Sequence, residues 1–376
     1  MKVLLAGGGT AGHINPALAI AGYIKERQPD AEILFVGTPW GMEAKLIPAA
    51  GYAFTPMKVA GIQRKLSLEN IKRNAQALWY LINSGGRALE IVYNFSPDIA
   101  IGTGGYVSGP IMRRATQLGV PLIVHEQNAF PGITTKMLAP RAECVMLAAE
   151  DAGARIKNAK RIELTGNPIR GEVLSYDKQK AREELGLDSR PLVLSFGGSL
   201  GARAINEAML PILIDSAKTG KYNHIHGYGQ YGGFVPEQLK AAGVDTEQCG
   251  NLSVREYIND MPRVLAAADI VICRAGAITL SELQAKGKPS ILIPSPNVAE
   301  NHQYHNAMAL AKRGAAKVIE ESASLPEQLM EELSALADDR DKLREMSHNA
   351  HKMAITDACE RIYNIAMGVI EANKER

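Results

Sequence analysis

The sequence predicts an α/β protein built from two doubly wound, parallel-sheet domains in tandem. Three observations carry that prediction. Short apolar runs alternate with helix-like runs along almost the whole chain. Most of the runs are apolar on both faces, as buried parallel strands must be. A strand, glycine turn and helix follow one another near the start and again past the middle. The chain has 376 residues, enough for two domains of ordinary size.

The first element is Val3-Leu4-Leu5-Ala6, too short for a helix, followed at once by Gly7-Gly8-Gly9-Thr10-Ala11-Gly12-His13. A helix-favouring segment is expected from about Pro16. Glycines let the backbone turn with positive φ and let a ligand come close, and a helix start offers unpaired N–H groups to a phosphate. Strands are expected at 3–6, 32–36, 54–59, 98–102, 121–126, 143–148 and 161–165. A second series is expected at 191–196, 223–228, 251–254, 269–273, 289–293 and 316–319, with crossover helices between. The second series opens like the first: Leu192-Val193-Leu194-Ser195-Phe196 runs into Gly197-Gly198-Ser199-Leu200-Gly201-Ala202-Arg203. Gly166-Asn167-Pro168-Ile169-Arg170 between the two series has the composition of a hinge. The expected division is 1–166, 167–340, and a helical 341–376 packing back across the hinge, with the active site in a cleft between the domains.

Composition narrows the function. A hydrophobic fraction of 46% against 22% charged residues supports a sizeable core and argues against disorder. A net charge of +2 argues against a general nucleic-acid binder. Cys144, Cys249, Cys273 and Cys359 lie far apart, so neither a zinc site nor a disulfide framework is indicated, and a reduced, cytosolic setting fits. The apolar run after Lys2 stops at Ala6, too short for a signal peptide. No apolar stretch approaches the length of about 18 residues that a membrane span needs.

Several clusters carry polar groups at strand ends, the usual functional position in this architecture. Gly7-x-Gly9-x-x-Gly12 spells the dinucleotide fingerprint, but the second strand ends in Gly37-Thr38-Pro39 with no carboxylate for a ribose, which disfavours an NAD or FAD oxidoreductase. His13 is either a helix cap or a proton-transfer group. Gly104-Gly105-Tyr106 follows the fourth strand, and His125-Glu126-Gln127-Asn128 ends the fifth. In Arg274-Ala275-Gly276-Ala277-Ile278-Thr279-Leu280-Ser281-Glu282, the Thr279–Glu282 spacing fits a capping box, and Glu282 equally fits an acceptor for ribose hydroxyls. His302 and His305 lack a third ligand, and Asp339-Arg340-Asp341 reads as a helix junction far from any strand end, so no metal is expected.

Taken together, Gly8-Gly9-Thr10-Ala11-Gly12-His13, Gly104-Gly105-Tyr106-Val107-Ser108-Gly109-Pro110, His125-Glu126-Gln127-Asn128, Gly166-Asn167-Pro168-Ile169-Arg170, Gly198-Ser199-Leu200-Gly201-Ala202-Arg203 and the run 274–282 closely resemble the MurG family of bacterial peptidoglycan glycosyltransferases, in order and over essentially the whole chain. The resemblance implies the GT-B fold, two Rossmann-like domains around a cleft. It implies transfer of N-acetylglucosamine from UDP-GlcNAc to the C4 hydroxyl of the muramoyl sugar of lipid I, with inversion, giving lipid II and UDP without a cofactor. It puts donor contacts on Thr10, Ala11, Gly12, Asn128, Arg170, Ser199, Ile258, the run Ala277, Ile278, Thr279, Leu280, Ser281 and Glu282, and Gln303, with Glu282 on the ribose. Gly104, Gly105 and Tyr106 fall on the acceptor side. Ala11 replaces a glycine common in the family, and His302-Gln303 replaces a pair of glutamines. His13 and Glu126 are both candidates for the general base. The nearest enzymatic rival is a UDP-GlcNAc 2-epimerase or another GT-B transferase, and a non-catalytic nucleotide-sugar binder is a further alternative.

An acceptor on a polyprenyl chain implies a peripheral protein at the cytoplasmic face of the cell membrane, held on its anionic surface. The segment 58–90 carries a net +4 and a helical stripe of Leu68, Ile71, Ala75, Leu78 and Ile82. Ile62, Arg64, Lys65, Lys72, Arg73 and Trp79 are the expected membrane-facing residues.

Overall fold

In the computed structural model, residues 1–61 and 68–375 are described; of the side chains, those at 68–73, 76–78 and 81–83 also fall outside the description. The first sheet contains β1 (Lys2–Gly7), β2 (Glu32–Gly37), β3 (Ala53–Pro56), β4 (Ile99–Gly104), β5 (Leu122–Glu126), β6 (Cys144–Leu147) and β7 (Ile162–Leu164). Between them run α1 (Ala11–Arg27), α2 (Glu43–Ala49), α3 (Leu68–Phe95), α4 (Ser108–Gln117) and α5 (Ile133–Leu138). The spatial order is β3-β2-β1-β4-β5-β6-β7, with every neighbouring pair parallel. Strand order reverses between β1 and β4, so the turns leaving these two strands diverge and open a crevice at their C-terminal ends. That switch point places the β1–α1 and β4–α4 glycine clusters side by side.

Alternation along each strand feeds two apolar layers. Val3, Leu5, Ile99 and Ile101 join one core cluster, while Leu4, Ala6, Ala100 and Val124 join the other with Ile91, Val92, Ile111 and Met112 of α3 and α4. α1 starts at Ala11 rather than near Pro16. Its N-cap is Thr10, with φ −143° and ψ 154°, and Pro16 sits inside the helix. The sequence places the helix start near Pro16 because proline suits the first helical positions. Here the helix begins one turn earlier, which puts His13 on its first turn instead of before it.

The second half repeats the plan. α6 (Gly171–Ser175) and α7 (Lys178–Glu184) lead into β8 (Leu192–Phe196), α8 (Arg203–Thr219), β9 (Asn223–Gly227), α9 (Phe234–Ala241) and β10 (Leu252–Arg255). Then come α10 (Met261–Ala267), β11 (Ile270–Cys273), α11 (Ala277–Ala285), β12 (Ser290–Leu292), α12 (His302–Ala311), β13 (Ala316–Val318), α13 (Leu325–Asp338) and α14 (Arg340–Lys352). The order β10-β9-β8-β11-β12-β13 is again all parallel, with its switch point between β8 and β11.

The chain divides into one compact unit of Met1–Ile169 with Thr356–Arg376, and a second of Arg170–Ile355. The C-terminal segment is therefore shared out. α14 stays with the second unit, while α15 (Ala358–Lys374) buries Ile362, Ala366, Val369 and Ile370 in the cluster that holds Val3 and Leu5. Burying an isoleucine or valine stabilises by about 1.5–3 kcal/mol each. Gln28 at the end of α1 donates to the Tyr363 hydroxyl at 2.9 Å, fixing α15 along α1.

Candidate active site

In the first unit the site is built on the β1/β4 switch point. Gly7 allows close packing: a Cβ there would lie 2.0 Å from Thr103 Oγ1. Thr103 donates to the His13 carbonyl at 2.8 Å, tying β4 to the first turn of α1. Gly104, with φ +105°, stands against the imidazole, where a Cβ would meet His13 Nδ1 at 2.7 Å. Gly105 approaches the Gly8 carbonyl just as closely, and the Tyr106 ring beside it is 58% exposed. Gly104, Gly105 and His13 are thus one packed surface within this unit.

His13 Nδ1 is 3.0 Å from Gln127 Oε1. Gln127 Nε2 lies 2.9 Å from His125 Nδ1 and 3.0 Å from the His125 carbonyl, and His125 Nε2 lies 2.9 Å from the Gly166 carbonyl. Burial holds the His125 imidazole below its ordinary value, so it stays neutral. Glu126 has a different environment. It is 3% exposed, and its two oxygens accept from the Asn128 backbone and amide N–H groups, the Gly132 N–H and the Thr135 hydroxyl. This carboxylate organises the β5–α5 loop and presents Asn128.

One residue absent from the sequence reading is central. Glu43, on the first turn of α2, is fully buried under the first glycine turn. It accepts from Gly9 N–H at 3.1 Å, Thr38 N–H at 3.0 Å and the Thr38 hydroxyl at 2.7 Å. Burial opposes its charge, but the Thr38 and Gly9 hydrogen bonds outweigh burial and hold the carboxyl below its usual range. Gly9 N–H is therefore committed inward to a carboxylate. The groups this turn offers a ligand are the first-turn amides of Ala11 and Gly12, which precede the first helical bonds, from His13 and Ile14 N–H to Thr10 O.

In the second unit a cavity of about 180 Å³ opens at the β8/β11 switch point. It is lined by Arg170, Phe196, Ser199, Ile258, Thr279 and Glu282 among others. This is the scale of cavity that holds a single six-membered ring. Glu282, 7% exposed, accepts from Arg170 Nε at 3.3 Å and Nη2 at 3.2 Å. Burial pushes its carboxyl up from the ordinary value, with Arg170 opposing. The capping-box alternative does not hold. α11 is capped by Gly276, so Thr279 is its third residue and Glu282 is available to a ligand.

The remaining predicted positions are spread. Leu280 is a core residue, 3% exposed, with its N–H bonded to Gly276 O. Ser281 donates to the Ala277 carbonyl, and Ile278 is on the same turn. Gln303 accepts from Ser295 N–H at 2.9 Å, and His302 bonds the Ala299 carbonyl at 2.8 Å. Asp339 caps α14 by accepting from Lys342 N–H, which accounts for the Asp-x-Asp spelling. Among the described residues no helix is long and apolar enough to cross a membrane. Trp79 is 61% exposed and its ring packs on Tyr80, which in turn meets Trp40. Ile62, Arg64 and Lys65 lie outside the described residues, as do the side chains of Lys72 and Arg73.

Models of the glycosyltransferase family 28 N-terminal and C-terminal domains match residues 3–147 and 192–362. A transferase from Acetivibrio thermocellus is 44% identical, with 99% of each chain covered. The chain belongs to glycosyltransferase family 28. A relative from Ruminiclostridium cellulolyticum is 43% identical over 98% of this chain and all of its own. Both relatives are named UDP-N-acetylglucosamine–N-acetylmuramyl-(pentapeptide) pyrophosphoryl-undecaprenol N-acetylglucosamine transferase. A crystal structure of Acinetobacter baumannii MurG superposes with a TM-score of 0.78 at 29% identity, covering 98% of this chain and 99% of that one. The MurG resemblance of the motifs and the GT-B architecture are borne out together. A Neisseria meningitidis UDP-GlcNAc 2-epimerase aligns at 14% identity with a TM-score of 0.63, a likeness of fold alone. The N-terminal family 28 model lies within the first unit, and the C-terminal one covers the second from residue 192 onward and enters α15.

Proposed function

We infer that the chain transfers N-acetylglucosamine from UDP-GlcNAc to the polyprenyl-pyrophosphoryl N-acetylmuramyl peptide, making lipid II for peptidoglycan. The observation that carries this is identity of 43–44% across nearly the full length to enzymes named for that reaction. The geometry adds the parts each unit supplies. The second unit offers the uridine site: a ring-sized cavity beside Ser199 and Ile258, with the Glu282 carboxylate to accept from the ribose hydroxyls. The first unit offers His13 as general base. Its Nε2 takes the proton of the sugar hydroxyl as that oxygen attacks the anomeric carbon, the bond to the diphosphate breaks, and UDP leaves with the electron pair. Within the second unit, the charge growing on UDP is met by the glycine turn at Ser199 and the helix start that follows it. Glu126 is excluded from the base role in this reading because its oxygens already accept four hydrogen bonds.

The acceptor's lipid requires a protein that comes to the membrane. We assign a peripheral position on the cytoplasmic face, supported by the basic 58–90 segment and the exposed Trp79. UDP release from UDP-GlcNAc, measured with and without a lipid I analogue, tests the function. Release that is strictly acceptor-dependent is expected. Acceptor-independent conversion of UDP-GlcNAc would indicate epimerase-type chemistry instead.

A further inference from the structure

We propose that Gln127 and His125 are positioning residues that hold His13 in the tautomer with its proton on Nδ1, leaving Nε2 as the atom that receives the acceptor's proton. The proposal rests on the reading of His13 as the base.

The direction of the chain of hydrogen bonds is fixed by atoms that can play only one part. The end of the Gln127 amide that lies 3.0 Å from the His125 carbonyl must be the NH2, because a carbonyl oxygen only accepts. The opposite end, 3.0 Å from His13 Nδ1, is then the amide oxygen, which also only accepts. His13 Nδ1 must therefore carry the hydrogen. The same NH2 donates to His125 Nδ1, so the His125 proton sits on Nε2, where it donates to the Gly166 carbonyl. Asn167, next along, donates to the Gln127 carbonyl at 3.2 Å and holds that backbone in place. Each link has one donor and one acceptor, and reversing any link would set two acceptors against each other somewhere in the chain. An imidazole left to water prefers its proton on Nε2, the nitrogen a base needs bare. The network supplies the opposite tautomer.

Burial makes the arrangement rigid. His125 and Gln127 are 0% and 4% exposed, and Gly104 closes the Nδ1 edge of the His13 ring. The device differs from a Ser-His-Asp triad in that the orienting group is a neutral amide, backed by a neutral histidine, and not a carboxylate. The relay orients the base without adding a charge of its own beside the imidazole.

The test is the nitrogen spectrum of the full-length protein labelled with 15N-histidine, the His13 signals being identified by their loss in His13→Gln. Wild type should show His13 with a protonated Nδ1 and a bare Nε2 in its neutral form. Gln127→Met, which keeps the volume and removes the acceptor, should shift His13 toward the Nε2-protonated form and lower kcat by about ten- to a hundredfold, with KM for UDP-GlcNAc within about twofold. His125→Phe removes the Nδ1 partner of the Gln127 NH2 but leaves its bond to the residue 125 carbonyl, and should shift the His13 tautomer and kcat in the same direction by a smaller factor. A wild-type His13 protonated on Nε2, or a Gln127→Met protein with unchanged tautomer and turnover, would overturn the relay. Failure of the base reading is separately visible: His13→Gln would then turn over at the wild-type rate whatever the tautomer.

Discussion

Replacing Glu282 by alanine should weaken UDP-GlcNAc binding by about ten- to a hundredfold. The carboxylate is 7% exposed and lines the cavity of the second unit. Arg170 occupies Oε1 only, at 3.2 and 3.3 Å, so Oε2 is left for the ribose hydroxyls. Hydrogen bonds to a charged group contribute about 1.5–3 kcal/mol, and about 1.4 kcal/mol is a factor of ten in Kd. Little is added for the abandoned Arg170, whose side chain is 56% exposed and can be hydrated. A pH arm makes the test sharper. Burial raises the Glu282 carboxyl, and the ribose hydroxyls need its ionised form. Affinity for UDP-GlcNAc should therefore fall as pH drops toward that raised value, and Glu282→Gln should lose this dependence. For folding the sign is opposite: a carboxyl raised in the native state contributes stability that is fully present below the unfolded value and is lost as pH rises through the raised folded value. Isothermal titration across pH 5–8, a window of about three units around the carboxylate and histidine ranges, measures both proteins. A Kd for Glu282→Ala within twofold of wild type, or an unchanged pH slope in Glu282→Gln, would refute the ribose role.

Four further outcomes are expected. His13→Ala should lower kcat by about 10²–10⁴ while leaving the thermal midpoint near wild type, since the side chain is only half-buried; stopped assays and a melting curve check both. Gly104→Ala should destabilise the first unit by about 1–3 kcal/mol, because φ is +105° and the new methyl meets His13, and should abolish turnover with UDP-GlcNAc binding intact. In the second unit Ser195 bridges the buried His224 and His226, held by burial at about 3 and about 4. They are neutral when folded and take up protons when unfolded below about pH 6.5, so stability should be lost as pH falls from there toward 4; urea midpoints of His224→Gln should fall less steeply than wild type. Anionic vesicles should sediment the protein at low salt, and changing Arg64, Lys65, Lys72 and Arg73 to Glu should release it, at about 1 kcal/mol for each basic residue.

Most of the strands were legible because they are two-faced apolar runs stopped by glycine or a polar end, and two successive switch points follow from that order. Arg170, Ser199, Ile258, Thr279 and Glu282 were legible through their motifs, and one cavity collects them. Phe196 lines the same cavity but read as the last residue of a core strand, and nothing local distinguishes the two roles. Glu43 was hidden because its partner Gly9 is 34 residues away in the chain. The His13–Gln127 contact spans 114 residues and exists only once β5 pairs with β4 beside β1. The α1 start was misplaced because Pro16 imitates a helix beginning, and the Thr279–Glu282 cap because the helix had already begun at Ala277.

The return of α15 to the first unit has a consequence for synthesis on the ribosome. The second unit is one continuous stretch and can close as soon as it emerges. The first cannot, because one face of its sheet awaits Ile362, Ala366, Val369 and Ile370, which are translated only after all of 170–355. At about 5–20 residues per second that face stays open for roughly ten to forty seconds. The later-made half of the chain therefore completes first, and a nascent chain halted before α15 would leave the N-terminal sheet, with the α1 helix that carries His13, as the part exposed to chaperones and proteases.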